Sequence, residues 1–274
     1  MNSVNIHPTA VLHPTAELGE NVTVGPYTII GEDVIIGDGT TIGAHVLIDS
    51  HTHIGRDCRI YFGAALGSHP QDRKFQGERS YLRIGDRNHI REYVTLHRAT
   101  GEDQATVLGD DNMLMNYAHL GHNCKTGSRI MIANGTNLGG HCIVEDDANL
   151  GGMTGIHQFV RIGRLAMVGG FSKVSRDVPP FMIVDGVPAE IRGLNSVGLR
   201  RAKMPLEVQT ALKNAYRLLY RSGLNTTNAI ERIRKEVPGL EEIEYLISFV
   251  EAMRMGSAGR QLEAQRHAPP AEQE

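Results

Sequence analysis

Aliphatic residues recur at every sixth position along most of this chain. Starting at Ile6, the steps land on Leu12, Leu18, Val24, Ile30, Ile36, Ile42, Ile48, Ile54, Ile60 and Leu66. The register returns at Ile84, Ile90 and Leu96, again at Leu108, Leu114 and Leu120, and runs from Ile132 to Val174 with Thr126 as a polar exception. The fourth residue after each anchor is usually small or β-branched, as at Ala10, Ala16, Val22, Thr28, Val34, Thr40 and Val46. A period of six is not that of a helix. It predicts three short parallel strands per coil of ~18 residues, each strand sending one aliphatic side chain inward and each corner turned by Gly, Asn or Asp.

The register breaks twice, at about Gly67 to Arg83 (containing SHPQDRKFQGERS) and Arg98 to Val107 (containing RATGEDQAT). Both breaks return to the same register, so both are expected as loops extruded from intact coils, where binding elements are commonly mounted. The compact polar group Gln71, Asp72 and Lys74 in the first loop suits sugar hydroxyl or diphosphate contacts. The repeat is expected to end after Val178-Pro179-Pro180. From Pro205 the spacing turns helical, with Leu206, Ala211, Leu212, Ala215, Leu218 and Leu219 on one face. A turn at Ser222-Gly223, a helix near residues 227–236 and a third opened by Pro238 and running to about Met255 complete a small helical domain. The expected division is a parallel β-helix over residues 1–190, helices over 191–256, and a frayed tail over 257–274.

Composition agrees with such a solenoid. Aromatics make up 5% of the 274 residues, there is no Trp, and Gly numbers 31, so stacked aliphatics must fill the interior. A net charge of −3 argues against nucleic-acid binding. No apolar run approaches the ~20 residues of a membrane span, and MNSVNIHPTA does not read as a signal peptide; a cytoplasmic location is expected. Cys58, Cys124 and Cys142 all fall on the inward position four after an anchor, which reads as core filler.

The candidate chemistry is a set of histidines. His119 and His122 lie in NYAHLGHNC, His141 in LGGHC and His157 in GGMTGIHQF. At ~18 residues per coil, His122, His141 and His157 are expected along one edge of the prism, beside Gly139-Gly140 and Gly151-Gly152. A zinc centre would need three imidazoles converging on one ion. General-base catalysis needs one imidazole held by a partner, and suits the cluster better.

The motifs GHNC, GGMTGIHQF and DVPPF, with the hexapeptide repeat, resemble the family of UDP-N-acetylglucosamine O-acyltransferases that begin lipid A synthesis. The resemblance extends from Ile6 to about Met255. It implies a left-handed parallel β-helix, a homotrimer with active sites between subunits, no cofactor, and transfer of a 3-hydroxyacyl group from acyl carrier protein to the sugar 3-hydroxyl of UDP-N-acetylglucosamine. Carried over position by position, it implies His122 as the general base and the Gly140 N–H as oxyanion donor. Gln71, Asp72, Lys74, His119, His141, His157 and Gln158 would line the sugar-nucleotide cleft. Asn195 and Arg201 would bind the uridine diphosphate, and Gly170 would stand where a bulky residue shortens the accepted acyl chain. The related N-acyltransferase carries a uridine-binding domain ahead of its repeat; none is expected here, since the repeat begins at Ile6.

Two positions depart from the family pattern. Asn123 stands after the base where Asp is common, so a carbonyl or another carboxylate is expected to orient His122. Ala202 follows Arg201 where a second Arg is common. Between Arg161 and Lys203 the cations Arg161, Arg164, Lys173, Arg176, Arg192, Arg200, Arg201 and Lys203 face only Asp177, Asp185 and Glu190, which suits docking of an acidic carrier protein. N-acyl transfer to the 3-amino analogue of the sugar, acetyl transfer from acetyl-CoA, a zinc-dependent hydratase and a non-catalytic scaffold remain the competing readings.

Overall fold

A computed structural model describes residues 4–256 and 259–261. The strands predicted by the six-residue period are present, most of them two residues long, and form three parallel sheets that wrap a three-sided prism. Sheet A runs from Asn5–Ile6 to Glu190–Leu194, sheet B from Val11–Leu12 to Lys173–Val174, and sheet C from Glu17–Leu18 to Arg161–Ile162. Each coil passes from A to B to C. Every anchor from Val24 to Val174 points inward and is buried, and together they make one continuous aliphatic column. Thr126 keeps the register as well; its hydroxyl donates to the Val107 carbonyl, so a polar group is tolerated inside. The three cysteines are fully buried in the same column.

The two register breaks preserve the pattern because of their lengths. Undisturbed neighbours are 18 residues apart, as Ile36 and Ile54 are; Ile54 pairs with Ile84, and Ile84 with Leu108. The insertions are therefore whole multiples of six, and the inward face never inverts. Most corners carry a residue of left-handed φ three positions past the anchor, including bulky ones such as Tyr93, Tyr117 and Phe159. Such a conformation costs roughly 1–2 kcal/mol in an L-residue. Stacking onto the next coil offsets part of it: Tyr93 and Tyr117 lie parallel at 5.2 Å, and His141 and Phe159 at 4.6 Å.

Beyond the last coils the structure departs from the expectation. The sheet does not stop at Pro180: Met182–Asp185 adds in parallel to Met167–Val168, then pairs antiparallel with Glu190–Leu194. A short helix, α1 (Ser196–Arg201), precedes the expected ones, which are α2 (Leu206–Tyr220), α3 (Thr226–Glu236) and α4 (Glu241–Met255). The third expected helix starts at Glu241 and not at Pro238, because Pro238 to Leu240 form the entry turn. A second core of Phe181, Met182, Leu199, Leu212, Ile233, Leu246 and Ile247 fastens the helices to the end of the prism. Of the expected tail, only the 3-10 turn Gly259–Gln261 is described, and the Arg260 N–H donates to the buried Asp177 carboxylate at 2.9 Å. The rest of residues 257–274 lies outside the described residues.

Candidate active site

Both long loops leave the prism at the edge between sheets B and C. The first joins Ala65–Ser68 to Tyr81–Ile84, and the second joins Thr95–His97 to Ala105–Leu108. They lean on each other, with the Gly101 N–H donating to Glu78 at 2.8 Å and Arg79 paired with Asp103 at 2.9 Å. His122, His141 and His157 stand on the same edge in successive coils, two, three and one positions past their anchors. The spacing argument is met: the rings of His122 and His141 lie edge to face at 5.2 Å.

His122 occupies the crest where two clefts meet. On the sheet B side, a cleft of about 510 Å³ is lined by Gln71, His97, His119, His122, Gly140 and His157, among others. On the loop side, a cleft of about 500 Å³ is lined by Asp72, Lys74, Thr100, His122, His141 and Phe159. Gln158 lines both. The His122 ring lies directly over Gly140, whose added Cβ would sit 2.6 Å from Cε1 and closer still to Nε2. Gly140 does not have the left-handed φ that would itself call for glycine. The ring is what excludes a side chain there. Among the described residues, the Gly140 N–H has no hydrogen-bond acceptor.

His122 Nδ1 is 2.9 Å from Asn123 Oδ1 and 4.0 Å from Asp72 Oδ2. Burial works to raise the Asp72 pKa. The Lys74 N–H, which donates to it at 3.0 Å, and then the charges of His122 and Lys74 outweigh it and hold the carboxyl below its usual value. His119 Nδ1 is bonded to the Thr95 hydroxyl at 2.8 Å, and burial and then the His122 charge lower its pKa.

His97 was not singled out from the sequence, yet it is 7% exposed and its ring packs edge-on against His119 at 4.9 Å. Burial, then the charges of His119 and His122, push its pKa down to about 4. It sits one residue past its anchor, as His157 does, and that register was the available signal. Lys173 was assigned only to a basic stretch; it lines the sheet B cleft, in line with His119, Asn137 and Gly155.

Three proposed residues lie away from His122. Gly170 is on the edge between sheets A and B, where an added Cβ would meet the Gly152 carbonyl oxygen at 3.3 Å. Asn195 and Arg201 line a separate cleft of about 520 Å³ on the sheet A side, with Arg129, Asp147, Asn149 and Met167. The Asn195 side chain caps α1, accepting from the Gly198 N–H at 3.0 Å and donating to the Leu165 carbonyl at 2.8 Å. Its polar atoms hold α1, whose last turn presents the exposed Arg201. The basic stretch is also divided. Arg161 bonds Glu145 at 2.7 Å, Arg164 lies over the rings of Tyr245 and Phe181, and Arg192 pairs with Glu190 at 3.3 Å. Lys173, Arg176, Arg200, Arg201 and Lys203 are the exposed remainder. Among the described residues no group of three or more His, Cys, Asp or Glu is placed to hold a metal ion. No described helix is long and apolar enough to cross a membrane.

Comparison with known proteins gives the same picture from outside. A family model described as UDP-N-acetylglucosamine O-acyltransferase, domain 2, matches residues 177–258, and one described as bacterial transferase hexapeptide matches residues 15–50. The chain is 50% identical over 182 residues to the acyl-[acyl-carrier-protein]–UDP-N-acetylglucosamine O-acyltransferase of Gloeothece citriformis, a span of 66% of each protein. A solved UDP-N-acetylglucosamine acyltransferase from Bacteroides fragilis superposes with a TM-score of 0.87 at 39% identity, covering 89% of this chain and 96% of that one. The UDP-N-acetylglucosamine O-acyltransferase of Moraxella catarrhalis does so with a TM-score of 0.85 at 38% identity, covering 90% and 96%. The solenoid is thus a left-handed parallel β-helix with a helical C-terminal domain. On these matches over nearly its whole length, the chain belongs to the UDP-N-acetylglucosamine O-acyltransferase family.

Proposed function

We propose that this chain transfers a 3-hydroxyacyl group from acyl carrier protein to the 3-hydroxyl of UDP-N-acetylglucosamine, the first step of lipid A biosynthesis, with His122 as general base. The observation that carries this reading is the position of His122 at the meeting of two clefts, its ring against the Cα of Gly140. The imidazole Nε2 takes the proton of the sugar hydroxyl as its oxygen attacks the thioester carbonyl. The Gly140 N–H donates to the oxygen that becomes negative, a role that needs a donor not otherwise engaged. The C–S bond then breaks, and the carrier thiol leaves with the proton held on the imidazolium. Asp72, Lys74, Gln71, His119, His141, His157 and Gln158 surround that centre and contact the sugar nucleotide.

The placement of Asn195 and Arg201 favours an active site shared between subunits of a homotrimer. Their cleft opens on sheet A, so the nucleotide contacts come to His122 from a neighbouring copy. The edge between sheets A and B carries Tyr27, Phe62, Tyr93, Tyr117, Met153 and Phe171, all exposed, with Tyr117 at 62% and Phe171 at 75%. An apolar stripe of that length suits burial against another copy. Gly170 lies on this stripe and would meet the acyl chain there. The exposed cations Lys173, Arg176, Arg200, Arg201 and Lys203 are the docking surface for the acidic carrier protein.

The experiment is acyl transfer by the purified chain from 3-hydroxyacyl-acyl carrier proteins of graded length, with UDP-N-acetylglucosamine and its 3-amino analogue as rival acceptors. Faster ester formation on UDP-N-acetylglucosamine supports the proposal. Transfer to the amine alone would replace it with N-acylation.

A further inference from the structure

Asn123 is held far more tightly than a surface turn residue needs. Its φ is +58°, in the left-handed region that Asn tolerates better than most residues. Its own N–H donates to the Thr106 hydroxyl at 2.8 Å. Its carboxamide then grips the backbone of Thr100 in the second loop on both sides. The Thr100 N–H donates to Oδ1 at 2.9 Å, and Nδ2 donates to the Thr100 carbonyl at 3.0 Å. This pair fixes which end of the amide is oxygen. The flipped amide would set an NH₂ against an N–H and an oxygen against a carbonyl, losing both bonds.

With the amide so assigned, the oxygen is the end that faces His122 Nδ1, at 2.9 Å. An amide oxygen can only accept, so Nδ1 must carry the hydrogen. We infer that Asn123 is a positioning residue that fixes the tautomer of His122, holding the proton on Nδ1 through its clamp on Thr100 and leaving the lone pair of Nε2 free above Gly140. The inference rests on the reading of His122 as the base. It adds how that base is kept competent without the carboxylate common at this position in the family. Free imidazole interchanges its two neutral tautomers, and only the one with an unprotonated Nε2 can take a proton on this side.

The negative charge comes from elsewhere. Asp72, in the first loop, approaches Nδ1 at 4.0 Å, too far for a hydrogen bond but near enough to face the ring with its negative charge. Orientation and charge, which one aspartate could supply together, are here divided between Asn123 and Asp72. Each works through a different loop. The other titratable groups around His122 are His141 at 5.2 Å, His119 and His97 toward sheet B, and Lys74 in the loop-side cleft.

The test combines a readout that needs no turnover with one that does. In the full chain labelled with 15N-histidine, the His122 resonances, assigned by their loss in His122→Ala, should show a protonated Nδ1 and an unprotonated Nε2 at pH above the imidazole pKa. Asn123→Ala should convert His122 to a mixture of tautomers and lower kcat on the order of 10- to 100-fold, with KM for the sugar nucleotide within about twofold. Asn123→Asp should keep the tautomer and move the acid limb of the kcat profile upward by about one to three pH units, since a full charge then lies against Nδ1. Asp72→Asn should move that limb downward. A His122 protonated on Nε2 in the wild type would overturn the inference. So would an Asn123→Ala protein that keeps both the Nδ1 proton and the wild-type kcat, or an acid limb unmoved in Asn123→Asp. Absence of any acyl transfer by the wild type would count against the catalytic reading while leaving the tautomer measurement to stand or fall separately.

Discussion

Gly140→Ala places one methyl group against the base, whose ring atoms are its three nearest neighbours. The new Cβ would lie 2.6 Å from His122 Cε1 and 3.0 Å from Cδ2, whereas unstrained carbon contacts are about 3.5–4 Å. The ring must therefore withdraw by about 1 Å, and a displacement of that size at a reacting centre costs about 100-fold in rate, or roughly 2.7 kcal/mol. Stability should change little. The backbone at residue 140 is not left-handed, so alanine fits it and restricts the unfolded chain, a gain of about 0.4–1 kcal/mol that offsets the displacement of a ring at a cleft wall. The adjacent Gly139→Ala is the contrast. Its Cβ would meet the backbone nitrogen of Gln158 at 2.8 Å and the Ile156 carbonyl oxygen at 3.3 Å, so the coils themselves must part and the melting temperature should fall. Steady-state acyl transfer and thermal melting by circular dichroism on both variants decide the matter. A Gly140→Ala enzyme with wild-type kcat, or one inactive only because it has unfolded, would refute the reasoning.

Other consequences follow from the same geometry. His97 has a native pKa of about 4 against about 6.5 when unfolded, so the unfolded chain binds the extra proton first. Stability is therefore fully present above pH 6.5, falls by at most roughly 3 kcal/mol as pH drops toward 4, and levels off below; in His97→Gln, melting over that range should show a shallower decline. Asn195→Ala should cost about 1–3 kcal/mol in chemical denaturation, because it removes the α1 cap and leaves the Leu165 carbonyl without its donor. Arg201→Ala should leave the melting temperature unchanged and raise KM for UDP-N-acetylglucosamine. Gly170→Met should shift the preferred acyl donor to a shorter chain in competition assays, and an unchanged preference would remove Gly170 from the acyl path.

The aliphatic register made most of this molecule legible before any coordinates. It gave the coils, the inward cysteines, the two loops and the edge that gathers His122, His141 and His157. What it could not show depends on contacts without a period. Helix α1 is six residues long, contains Gly198, and is held by the Asn195 cap and the burial of Leu199. The strand Glu190–Leu194 lies antiparallel outside the six-residue repeat, and its Ile191 packs against the core only in part. His97 was in register one past Leu96, but its burial against His119 depends on contacts that the period does not show. The grip of Asn123 on Thr100 spans 23 residues, a separation set by a six-residue insertion and not by the coil. The division of the basic stretch was only partly visible: Arg161 meets Glu145 across neighbouring coils, whereas Arg164 meets the Tyr245 ring only once α4 packs on the prism.

The central claim is that His122 is the base for acyl transfer to the sugar, and His122→Ala tests it most directly. With saturating 3-hydroxyacyl-acyl carrier protein and UDP-N-acetylglucosamine, kcat should fall by about 10²- to 10⁴-fold while the protein melts as the wild type does and still binds the sugar nucleotide. A folded His122→Ala protein that transfers the acyl group at the wild-type rate would contradict the account.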